Sequence, residues 1–86
     1  MVKVEVYSTK ICPYCDRAKA LLKAKGVVFE EYFIDRDPEL KEQMVQRASG
    51  RRSVPQIFIN DSGIGGCDDL FALERAGELN QLLEQK

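Results

Sequence analysis

The chain has 86 residues, 44% apolar and 31% charged; that length makes one compact domain, and that composition excludes a disordered chain. Its longest uncharged run, Ser53 to Asn60, is far too short to span a bilayer, and with a net charge of −1 and no basic run interleaved with aromatics, nothing marks a nucleic-acid surface. Histidine is absent and cysteine occurs three times, which excludes a His–Cys catalytic pair and a Cys₂His₂ zinc site and leaves Cys12, Cys15 and Cys67 one ligand short of a closed Cys₄ site.

The N-terminal residues alternate apolar and polar, and Val2, Val4 and Val6 at period two predict a strand over 2–7. The same stretch lacks a signal-peptide core, so a cytoplasmic protein is expected. Pro13 suits the first turn of a helix, where a missing N–H costs nothing. Tyr14, Ala18, Leu21, Leu22 and Lys25 follow at helical spacing and Gly26 supplies a stop, which predicts a helix over 13–25 with Cys12 at its mouth. Residues 27–34, "VVFEEYFI", read as a second strand. Asp37, Pro38 and Glu39 form an N-cap, a first-turn proline and a first-turn acid; Leu40, Met44 and Ala48 continue that helix until Gly50. "PQIFI" at 55–59 is a third strand, Asn60 to Gly63 a turn, and Ile64 part of a short hairpin partner. Gly65-Gly66 breaks the chain, Cys67-Asp68-Asp69 opens a helix carrying Leu70 and Leu73, and Leu79, Leu82 and Leu83 predict a last helical turn or two. The order β-α-β-α-β-β-α predicts an α/β domain over 1–86, with one mixed four-stranded sheet flanked by helices. The β-α-β start is a right-handed parallel crossover and the closing hairpin is antiparallel.

Charge is uneven along this order. Residues 1–28 carry six Lys/Arg against two acids, and residues 29–86 carry seven against twelve. Both paired cysteines lie in the basic part. A strand followed by C-x-x-C at the mouth of a helix is a redox arrangement, in contrast to a structural disulfide framework, which three cysteines in such a chain do not make. The unpaired N–H groups and partial positive charge of a helix N-terminus stabilise a thiolate. Cys12 stands at that end, with Lys10 and Arg17 adding positive charge, so Cys12 is expected to have the lower pKa and to act as nucleophile. Cys15, one turn in, can reach back and is expected to resolve. Pro13 stiffens the turn and Tyr14 offers a flat wall. The plain alternative is two buried cysteines that happen to be three apart.

"CPYC" at 12–15, "SVPQIFI" at 53–59 and "GGCDDL" at 65–70 stand in an order that resembles the glutaredoxin family, most closely its short bacterial dithiol members. The likeness runs from about residue 4 to residue 83. The resemblance implies a thioredoxin fold and glutathione-dependent disulfide reduction, with glutathione as co-substrate and no bound cofactor or metal. By the same resemblance Val54-Pro55 is a cis-proline dipeptide whose main chain pairs with the central cysteine of glutathione like a short added strand. Gly66, Cys67, Asp68 and Asp69 would hold the γ-glutamyl end, its carboxylate on backbone N–H groups and its amino group on Asp69, helped by Asp68. Read without the resemblance, the same acids are an N-cap after a Gly-Gly turn. The glycyl carboxylate would meet Arg52, beside Arg51, and Ser53 stands where threonine is commonest. Many relatives place a lysine three residues before the nucleophile; Thr9 is there instead, so Lys10 is expected to tune Cys12 rather than to clamp a carboxylate. Cys67 is expected to be a small residue beside the site.

The resemblance thus implies an enzyme that reduces protein–glutathione mixed disulfides and protein disulfides through Cys12 and Cys15. It is expected to act as a monomer on glutathionylated or disulfide-containing proteins, with ribonucleotide reductase one substrate by resemblance alone. The alternatives are a redoxin reduced by thioredoxin reductase, which would lack the acidic "GGCDD" pocket, an iron–sulfur protein ligated through Cys12 and glutathione, against which Pro13 speaks, and a plain binding module.

Overall fold

A computed structural model describes residues 2–84. The elements are β1 (Val4–Ser8), α1 (Pro13–Ala24), β2 (Glu30–Phe33), α2 (Pro38–Arg47), β3 (Gln56–Ile59), β4 (Ser62–Gly65), α3 (Cys67–Arg75) and α4 (Leu79–Leu83). The sheet order is β2-β1-β3-β4. β1 runs parallel to β2 and antiparallel to β3, and β3 and β4 form a hairpin. The expected mixed sheet flanked by helices is therefore present, with the cysteine segment leaving the end of a central strand.

Local chemistry explains the boundaries. Asp37 caps α2 by accepting from the Glu39 and Leu40 N–H groups at 3.0 and 3.2 Å. α1 closes with the Gly26 N–H donating to the Lys23 carbonyl and the Val27 N–H to the Leu22 carbonyl, around a left-handed Gly26 at φ 72°. α2 ends earlier than the glycine suggests: Ser49 takes the left-handed position at φ 56°, and the Gly50 N–H donates to the Val45 carbonyl at 2.8 Å. The β3–β4 turn is the two-residue Asn60-Asp61 kind, both at positive φ, as a right-twisted hairpin favours. β2 is shorter than the 27–34 run. Val27 and Phe29 pack against the core without joining the ladder, and Val28 faces outward. β2 is an edge strand, so apolar pattern alone does not commit those residues to pairing.

Period two along β1 divides the core. Val4 and Val6 join Ala18, Leu22, Ile57, Ile59, Leu70 and Leu79 on the α1/α3 face. Tyr7 joins Phe58, Ile34 and Met44 on the α2 face. Glu5 is buried on that second face, where Arg47 meets it with two hydrogen bonds of 2.9 and 3.3 Å. Arg47 also donates to the Tyr7 hydroxyl at 2.8 Å and lies 4.1 Å over the Phe58 ring. Tyr7 in turn donates to Gln43 at 2.8 Å. Burial alone raises the Glu5 pKa, and the Arg47 contact outweighs it, so the carboxyl is held below the usual glutamate range. No helix among the described residues is long and apolar enough to cross a membrane.

Candidate active site

Cys12 is the N-cap of α1, extended at φ −151°, in the place that serine or aspartate commonly takes. Its Sγ accepts the Cys15 N–H at 3.1 Å. The two sulfurs are joined as a disulfide, with Cα atoms 5.2 Å apart. The N–H that points at Sγ here is the donor that would meet a Cys12 thiolate once the bond is reduced. Access separates the pair: Cys12 keeps 8% of its surface and Cys15 none. Pro13 at the first helical position has no N–H to leave unpaired.

Beside this mouth lies a cleft of about 180 Å³. Its walls come from three stretches far apart in sequence: Tyr14 from α1; Arg51, Ser53, Val54 and Pro55 ahead of β3; and Gly66, Cys67, Asp68 and Asp69 at the start of α3. The Val54–Pro55 bond is cis. Close approach explains the two glycines. Gly65 sits at φ +110°, and a Cβ on it would run into the Asp69 carboxylate and Arg51. A Cβ on Gly66 would lie 3.3 Å from the Pro55 carbonyl oxygen. Bare backbone at Gly66 lets α3 begin close against the cis-proline segment without pushing on it.

Asp69 reaches back to the Gly66 N–H at 2.9 Å and pairs with Arg51 at 3.3 Å. Since glycine has no side chain to return the bond, only the back-reaching half of a capping box exists. The Gly66 N–H, aided by Arg51 and opposed by burial, holds the Asp69 carboxyl below its usual range. Glycine, not an acid, holds the N-cap position, so the acids serve as first-turn residues, and Asp69 also faces the cleft. Cys67 is buried and free. Burial pushes its thiol pKa up, with Arg17 pulling the other way and Asp68 adding to the rise.

Eight of the nine residues expected to contact a ligand line the cleft; Arg52 does not, and Arg51 stands in its place. The resemblance favoured Arg52, and nothing in composition or spacing separates it from its neighbour. Cys12 and Cys15 form the adjoining mouth rather than the cleft wall. Lys10 faces elsewhere. Its N–H donates to Asp35 at 3.2 Å, and with Phe33, Asp35 and Arg36 it lines a separate groove of about 270 Å³. Arg17 is exposed on α1, and its charge is felt at Cys67. One group escaped the sequence reading. Buried Ser8 donates to Glu31 at 2.6 Å, and Lys19, one turn beyond Cys15, donates to the same oxygen at 2.7 Å. The Glu31 contact raises the Lys19 pKa. Only long-range pairing unites these residues, and no local pattern signals it. Among the described residues no three Cys, Asp or Glu side chains converge as a metal site.

A strand-borne C-x-x-C at a helix mouth, beside a cis-proline and a glycine-lined helix start, is an arrangement for thiol–disulfide exchange. Comparison with known proteins agrees. The glutaredoxin family model matches residues 4–64. Glutaredoxin 3 of Escherichia coli (strain K12) is 55% identical over 84 residues, which span 98% of this chain and all of that protein. The solution structure of glutaredoxin from Brucella melitensis superposes with a TM-score of 0.85 at 52% identity, covering 98% of this chain and 90% of that one. The crystal structure of the buckwheat glutaredoxin–glutathione complex superposes with a TM-score of 0.85 at 31% identity, covering 93% of this chain and 74% of that one. By sequence, by fold and by its Cys12–Cys15 pair, the chain belongs to the glutaredoxin family and is a thiol–disulfide oxidoreductase.

Proposed function

We propose that the reductant and co-substrate of this oxidoreductase is glutathione, and that its substrates are protein–glutathione mixed disulfides and protein disulfides. The observation that carries this reading is the cleft, which joins main-chain groups at Val54 and Gly66–Cys67 to the Arg51–Asp69 pair right beside the dithiol. Glutathione is an extended tripeptide with a carboxylate at each end and an amino group at one. The Val54 main chain suits its central cysteine. The first N–H groups of α3 suit the γ-glutamyl carboxylate, and Asp69 its amino group. Arg51, with Ser53 nearby, suits the glycyl carboxylate. Seated this way, glutathione takes the place of the loose Arg51–Asp69 contact.

Cys12 is the nucleophile, because it is the more accessible sulfur and caps a helix. Its thiolate attacks the glutathionyl sulfur; a Cys12–glutathione disulfide forms, the substrate's S–S bond breaks, and the protein thiolate leaves. A second glutathione thiolate attacks the glutathionyl sulfur on Cys12, giving glutathione disulfide and free Cys12. With an intramolecular protein disulfide, Cys12 makes the mixed disulfide with the protein. Cys15 then displaces the second protein thiol and leaves the Cys12–Cys15 bond, which two glutathiones reduce.

The test is turnover of a glutathionylated peptide by wild type, Cys12→Ser and Cys15→Ser. Each is driven either by glutathione with glutathione reductase or by thioredoxin reductase. Wild type and Cys15→Ser turn over with glutathione, and Cys12→Ser falls to background. On a protein disulfide, Cys15→Ser loses activity as well. Turnover by thioredoxin reductase but not by glutathione overturns the choice of reductant. Activity that needs Cys15 and not Cys12 overturns the roles.

A further inference from the structure

The cleft accounts for one side of the reactive sulfur, and the other side is built as well. Cys12 follows β1, whose neighbours are β3 on the cleft side and β2 on the other. β1 and β2 are parallel and end together, with Ser8 opposite Phe33 and the Ile34 N–H donating to the Ser8 carbonyl at 2.9 Å. The groove of about 270 Å³ lies beyond those strand ends, lined by Lys10, Phe33, Asp35 and Arg36. The carboxyl ends of parallel strands are where α/β sheets present ligand crevices.

Two features of the groove remain unused by the fold. Phe33 leaves 42% of its surface exposed; Ile11, next to Cys12 and outside the groove's lining, leaves 88%. The Lys10 and Arg36 side chains are exposed and form no ion pair with any described residue. Asp35 is the one acid on the wall, and it already accepts the Lys10 N–H. An apolar floor rimmed by two free cations complements a peptide that carries an apolar residue beside an acid. Lys10 is two residues from Cys12, so whatever occupies the groove lies within a short peptide's reach of the reacting sulfur.

We propose that this groove docks the protein half of the substrate, and that its occupant is a chain segment next to the reactive cysteine bearing an acidic and an apolar side chain. The proposal rests on the glutathione reading above and adds to it the source of protein selectivity. Glutathione and protein then sit on opposite sides of Cys12, over the β3 and β2 ends of the sheet.

The test compares three glutathione mixed disulfides in the glutathione reductase assay: that of free cysteine, that of a peptide with Glu and Leu flanking the cysteine, and that of a peptide of equal length with Lys and Ser there. Wild type is expected to favour the acidic–apolar peptide over the basic one by about tenfold in kcat/KM at low salt, with the preference shrinking as ionic strength rises. Arg36→Glu removes or inverts the preference, and Phe33→Ser weakens it. Both variants reduce the free-cysteine disulfide as wild type does, which shows them folded. Wild type that turns over all three substrates without discrimination overturns the docking groove alone. So do variants whose losses are equal on all three. No turnover of any substrate by wild type overturns the glutathione reading, and the docking groove with it.

Discussion

Arg47 and Arg51 stand one helical turn apart in sequence, and each meets a carboxylate, yet they do opposite work. Arg47 grips Glu5 with two hydrogen bonds, donates to Tyr7 and stacks on Phe58; its side chain is 24% exposed and that of Glu5 only 6%. Arg51 makes one 3.3 Å contact with Asp69, and both side chains are about half exposed, at 51% and 49%. A guanidinium that spends most of its bonds on buried partners, with only a 3.3 Å contact left for exposed Asp61, holds the sheet against α2. One whose donors face water remains free to exchange its partner for a ligand. An ion pair is thus read as structural or functional by how many of its bonds a ligand could replace.

The strongest way to break this contrast is to delete each arginine. Arg47→Ala strands a buried Glu5 carboxylate and is expected to cost about 3 kcal/mol, lowering Tm by about 15 °C, while kcat at 25 °C is kept. Calorimetry and a glutathione-coupled assay on one preparation check both halves. Arg51→Ala is expected to raise the KM for a glutathionylated substrate about fivefold and to shift Tm by no more than about 3 °C. An equal loss of Tm in the two variants would dissolve the distinction.

A smaller effect sharpens it through pH. Glu5 and Asp69 both have carboxyl pKa values below their ordinary 4.5 and 3.8. A depressed carboxyl pKa contributes stability that is present above the unfolded value and lost as pH falls through the folded one. Urea midpoints should therefore be flat near neutrality and fall below about pH 4.5. Glu5→Gln should flatten that acid limb more than Asp69→Asn, because the half-exposed Asp69 is screened by water.

The sequence made legible what local chemistry decides. Pro13, Gly26 and Asp37 act within a few residues of themselves, and each stands where the pattern placed it; the turn expected over Asn60 to Gly63 is tighter, because Ser62 and Gly63 already pair in β4. Alternation of Val2, Val4 and Val6 signalled the strand, and β1 then buries both of its faces, one against each core cluster. Contacts made across the chain were not legible. Glu5 and Arg47 lie 42 residues apart, and Ser8 and Glu31 23 apart, so only the finished sheet brings them together. Arg51 and Arg52 differ by nothing that composition or spacing reads; the turn of the backbone between α2 and β3 sends one into the cleft and the other to solvent. The edge strand shows the reverse limit. The apolar run at 27–29 looks like pairing, but β2 has one neighbour, and Val27 and Phe29 pack on the core while Val28 stays exposed.

The strand order has a mechanical side. In the exchange proposed above, a protein disulfide would hang a whole second molecule from Cys12, and its tumbling would tug on that residue. That tug runs along β1, which is hydrogen-bonded to β2 on one edge and β3 on the other. The ladder bonds lie across the pull and share it, so they are sheared together rather than peeled one by one. The sulfur proposed to carry a passenger is thus moored to one of the two strands bonded along both edges.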